Sequence, residues 1–197
     1  LYGLPMMRVN MPGERLQLEG DPSIVSAPGA VSGNPFGLQS ADVSIGAATT
    51  EQTVPITQLS DGAERSASYL RGSDGVVASP AEPVLPLEQN NVAVQNRLLR
   101  GIGFLGGSYT DLPNRLPLTG TPATELRGVG VTFPTEAFYP PKFWSANYLG
   151  AIIDPSGGAT QLNVTPSQFR ANGPDSDTGT IRKYGATEYR LFYSGNT

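Results

Sequence analysis

The chain has 197 residues with 24 glycines, 18 prolines and a formal net charge of −4, and it contains neither cysteine nor histidine. Those two absences exclude disulfides, a thiolate nucleophile, histidine-ligated zinc and the Ser-His-Asp triad. The negative balance argues against a nucleic-acid surface, and no apolar run is long enough for membrane insertion.

This length buries a sizeable core without covalent staples. Abundant Gly and Pro beside only 15% charged residues fit many short strands joined by turns. The chain opens on "LYGLPMMRV" with no signal peptide or initiator Met, and reads as a piece of a longer protein. "ERLQLE" (14–19) alternates, with Leu16 and Leu18 on one face, and predicts a strand. Residues 20–50 are rich in Gly, Pro, Ser and Ala and read as a loop draped over a scaffold, or an irregular linker. "TVPITQL" (53–59) predicts a short strand that Pro55 places at an edge. "SDGVVASPAEPVLPLEQ" (73–89) is punctuated by prolines and extended. Residues 1–90 therefore read as a loop-rich segment with short strands, on one reading the end of a preceding domain. Residues 91–197 read as a β-sandwich domain. Thirteen of the sixteen aromatic residues follow residue 100, which assigns the better-packed core to this half.

"VAVQNRLLR" (92–100) predicts a strand leading into "RGIGFLGGSY" (100–109), where Gly101, Gly103 and Gly106 have the spacing of a dinucleotide fingerprint. That fingerprint works only where a parallel strand feeds a helix N-terminus facing the pyrophosphate. Here Pro113, Pro117 and Pro122 follow and forbid a long helix. The glycines read as structural, in a strand packed closely by another backbone and ending in a turn at Gly106 and Gly107.

"GVGVTF" (128–133) and "YLGAII" (148–153) predict two further strands. Between them "FYPPKFWSANYLG" (138–150) concentrates aromatic rings. Tyr139, Phe143, Trp144 and Tyr148 are the candidate ligand-binding residues, since rings exposed in a row would stack on a glycan. The favoured reading is that they seal one end of a core. "NVT" (163–165) has the form of a glycosylation acceptor. Glu125, Glu136 and Asp154 could pair as catalytic carboxylates only at a separation the sequence does not set.

In "ANGPDSDTG" (171–179), Asn172, Asp175 and Asp177 are candidate Ca²⁺ ligands, since hard cations take several oxygens from one loop. The bland alternative is an Asx-rich turn. "DTGT" (177–180) matches the surroundings of an aspartic-protease carboxylate, but it follows a polar turn instead of a buried strand.

The last strand, "TIRKYGATEYRLFYS" (180–194), sets Ile181, Tyr189, Leu191 and Tyr193 on one face and Arg182, Glu188 and Arg190 on the other. No helical period is sustained for three turns. The fold class is all-β: an antiparallel β-sandwich, immunoglobulin-like, with long Gly/Pro-rich loops.

"LYGLPMMRV" (1–9) resembles the strand closing the caspase-like domain of gingipain-type cysteine peptidases, with Leu4 where that family has an Asp. "GIGFLGGSYTDLPN" and "TPSQFRANGPDSDTGTIRKYGATEYRLFYS" are similar to β-domains that follow such catalytic domains in secreted bacterial proteins. The resemblance implies that the catalytic Cys and His belong to an adjoining domain, and that no catalytic residue lies in this chain. The expected protein is a non-catalytic accessory or structural module of an exported, cell-surface or secreted protein, partnered by an adjoining domain or subunit. The rival expectations are a carbohydrate-binding or adhesive module and a virion or appendage structural protein.

Overall fold

The computed structural model describes residues 22–34, 36–57, 62–120, 137–147, 160–174 and 176–195. The strands predicted at 14–19, 128–133 and 148–153 lie outside these residues. Among the described residues there are strands and turns but no helix, as the missing helical period and the prolines require.

The main sheet is built on two long antiparallel strands, β8 (Arg97–Arg115) and β12 (Gly179–Gly195). On its other side β12 pairs with two strands in succession. Its C-terminal half takes β2 (Gln39–Gly46), which is flanked by β1 (Gly29–Ala30). Its N-terminal part takes β11 (Ser167–Ala171). A second sheet runs β7 (Glu88–Asn91), β10 (Gln161–Val164) and β9 (Trp144–Asn147), all antiparallel. Two hairpins complete the described fold: β3 (Thr50–Thr57) with β4 (Glu64–Arg71), and β5 (Val76–Val77) with β6 (Leu85–Pro86). Pro55 sits in β3, whose single strand partner among the described residues is β4, in keeping with its missing N–H.

The two sheets meet face to face, which makes the fold an antiparallel sandwich. The main sheet supplies Val43 and Ile45 of β2, Leu99 of β8, and Tyr184, Tyr189, Leu191 and Tyr193 of β12; the second supplies Leu162 and Val164 of β10. No immunoglobulin strand order is evident among the described residues. A smaller cluster at the other end of β12 joins Ile181 to Phe169 and Ala171 of β11 and Leu70 of β4.

One strand can serve both clusters because its period is interrupted. Buried positions are odd-numbered at Ile181 and from Thr187 onward, but Tyr184 between them is even-numbered and buried. A register shift between Tyr184 and Ala186 inserts the extra residue that brings Tyr184 to the inner face.

Strand β2 lies within residues 20–50, read from sequence as a loop. It is the neighbour of β12, and Val43 and Ile45 share the main core. The expected turn at Gly106 and Gly107 is also replaced: β8 continues through it to Arg115. Gly106 has φ +147° opposite Glu188, beside a register shift, and a Cβ on Gly107 would come within 2.6 Å of the Ala186 carbonyl oxygen. The glycines therefore form an irregular strand packed against a neighbouring backbone.

Candidate functional site

The aromatic segment is held by backbone and amide contacts. Tyr139 and Phe169 exchange two 2.7 Å backbone hydrogen bonds, and the Tyr139–Pro140 peptide is cis. The Gln168 amide donates to the Pro140 carbonyl at 2.7 Å and accepts from the Tyr184 hydroxyl at 2.9 Å. The Thr165 N–H donates to the Phe143 carbonyl at 2.8 Å.

This frame turns Phe143 into the core, where it is 4% exposed. Its ring stacks on Tyr184 at 4.8 Å and meets Phe104 edge-on at 5.2 Å. Trp144 is half-buried and stacks on Phe104 at 5.3 Å, with the Lys142 ammonium 6.0 Å from its ring centre. Phe143 thus offers no face to a ligand, and Trp144 has one ring face engaged, so the two do not form the exposed row that sugar stacking needs. Tyr148 lies outside the described residues.

Tyr139, Phe143 and Trp144 nevertheless border one open cleft of about 350 Å³ between the β5–β6 hairpin and the second sheet. Its polar lining includes Glu82, Gln89, Lys142 and Asn163. The Gln89 amide donates to Asn163 Oδ1 at 3.2 Å, so the asparagine of "NVT" is held mid-strand by a neighbour. Burial pushes the Tyr139 hydroxyl up to about 12, helped by the nearby Glu82 carboxylate. No sequence motif marked Glu82 or Gln89, because they reach the cleft through a hairpin and a strand whose pairing only the fold supplies.

In the 171–179 turn, the Asn172 N–H bonds the Thr178 carbonyl at 3.0 Å and the Ser176 hydroxyl donates to the same oxygen at 2.9 Å. The Asn172 amide donates to Asn114 Oδ1 at 3.4 Å, and Asp177 pairs with Arg65 at 2.5 Å. A cation at Asp177 would have to displace that guanidinium. Asp175 lies outside the described residues, as do Glu125, Glu136 and Asp154. No group of three acidic, cysteine or histidine side chains able to hold a metal occurs among the described residues.

The fold defines the chain first as an all-β antiparallel sandwich organised on one long strand pair, with no cysteine or histidine to drive chemistry. No family model and no curated protein matches the sequence. Among solved structures, the chain is similar to one in the complex of Porphyromonas gingivalis RgpB pro- and mature domains. The TM-score is 0.51 at 13% identity, over 83% of this chain and 82% of that one. It also matches a chain in a structure of gingipain K from Porphyromonas gingivalis concerned with zymogenic latency, with a TM-score of 0.49 at 9% identity over 91% and 97% of the two chains. The gingipain-related likeness is thus present at the level of fold.

Proposed function

We propose that this chain is a non-catalytic module that folds against a gingipain-type cysteine-peptidase domain and holds it latent, as a pro-domain does. The observation that carries this reading is the fold likeness to a chain from a complex of pro- and mature domains, spanning more than four-fifths of both chains. A cysteine peptidase needs a thiolate and a base. A chain without Cys or His suits the partner that supplies neither. It acts by occupancy: a sandwich already folded covers the substrate groove and contributes no reacting atom. The same reading makes the protein exported, at the cell surface or secreted, with its peptidase partner in the same polypeptide or as a separate subunit.

The test is to titrate the purified chain into the gingipain-type peptidase domain of its own source while following hydrolysis of a fluorogenic peptide. Size-exclusion chromatography of the mixture gives the second readout. The expected result is an equimolar complex and a rate that falls to saturation at equivalence. Undiminished hydrolysis with separate elution at concentrations up to about 10 µM would overturn it.

A further inference from the structure

Beside β11, the face of the main sheet that carries Tyr184 continues into a column of side chains. Phe138 arrives next to β11 because Tyr139 is bridged to Phe169. The Arg170 guanidinium of β11 lies 4.7 Å from the Phe138 ring centre. Arg182 of β12 lies 4.0 Å from that same centre and 3.8 Å from that of Tyr109 on β8. Asp111 accepts two hydrogen bonds from Arg182, both 2.9 Å. Tyr109 is 52% exposed, and Arg170 is exposed. Among the described residues no carboxylate forms an ion pair with Arg170.

We infer that this column is the surface through which the chain engages its peptidase partner, meeting an acidic patch there; the inference rests on the reading in the preceding subsection. Arg and Tyr dominate the energetics of protein interfaces when they sit in ordered, desolvated positions. Exposed guanidinium–ring stacks add little to folding stability, whereas side chains fixed before contact lose little freedom on binding. The Tyr109 ring ties the column to the core, edge-on to Tyr184 at 5.7 Å, whereas the exposed Arg170 guanidinium makes more physical sense as a prepared contact than as a folding device. Its charge selects the partner. Asp111 bonds Arg182 and also attracts Arg170, so two guanidiniums against one carboxylate leave a net positive charge on a chain whose net charge is −4. A second copy of this acidic chain is a poor match, and a carboxylate-bearing surface is a good one.

The experiment measures the dissociation constant of the peptidase complex for the wild type, Arg170→Glu and Tyr109→Ala, at low and high salt, with thermal melting of each free chain. Arg170→Glu alters an exposed side chain and should melt near the wild type, whereas Tyr109→Ala also gives up the edge contact of its ring with Tyr184 at 5.7 Å and should melt somewhat lower. Each is expected to weaken binding by about tenfold or more, and Arg170→Glu should flatten the salt dependence. Wild-type binding that both variants reproduce would overturn this surface while leaving the pro-domain reading standing. Absence of any wild-type complex would overturn both.

Discussion

The Tyr193 hydroxyl donates a 2.7 Å hydrogen bond to the Val92 carbonyl, joining residues 101 positions apart across the core. Tyr189, on the same face of β12, is 0% exposed and its hydroxyl has no hydrogen-bond partner among the described residues. Two tyrosines of one strand are thus buried with opposite polar outcomes. Tyr193→Phe leaves a buried carbonyl short of its donor and should cost about 1 kcal/mol. Tyr189→Phe removes an unsatisfied group and should be neutral or stabilising. Urea denaturation of the two variants tests this, and equal losses would contradict it.

The same burial governs behaviour in alkali. It pushes Tyr189 up from 10.0 to about 12, an effect partly offset by the neighbouring Thr187 hydroxyl, and raises Tyr193 as well. The folded chain therefore holds these protons more tightly than the unfolded chain. Their stabilising contribution is complete below pH 10 and is lost as pH rises toward 12. Absorbance titration should show tyrosines that ionise only with unfolding. Full ionisation near pH 10 with the fold intact would refute the assignment.

Glycine positions on β8 divide by what surrounds them. A Cβ on Gly107 would press on the Ala186 carbonyl oxygen, whereas one on Gly103 meets its nearest neighbours at an ordinary 3.8 Å. Gly107→Ala should destabilise by about 1–3 kcal/mol. Gly103→Ala should stay within about 0.5 kcal/mol of the wild type. Thermal melts that fail to separate the two would show the close approach to be unimportant.

Phe143 distinguishes packing from recognition. Its ring is walled in by Phe104, Trp144 and Tyr184, so Phe143→Ala should cost about 3–5 kcal/mol of stability. A variant that melts like the wild type but fails to be retained on an immobilised glycan would restore the ligand-binding role.

Much of the all-β class was readable because its signals are local. Alternation in β12 marked Tyr189, Leu191 and Tyr193 as inward, and Pro55 marked an edge. Strand β2 was hidden because only Val43 and Ile45 alternate among Ser, Ala, Asp and Gly; its burial is conferred by β12 far along the chain. Tyr184 was hidden by the bulge that breaks the period of two. At the candidate sites, local reading found Tyr139, Phe143 and Trp144 but not which way each ring faces. The Arg170–Phe138–Arg182–Tyr109 column escaped it because strand pairing alone brings those residues together.

Strands β2, β8 and β11 all draw their pairing from β12, which follows them in the chain. During synthesis, each leaves the ribosome with at least one edge waiting for a strand not yet made. The main sheet can close only when residues 179–195 arrive, so nascent chains spend that interval open to pairing with one another. Long-range pairing of this kind is slow, and a partner or chaperone that shields those edges would govern how much of the protein reaches the folded state.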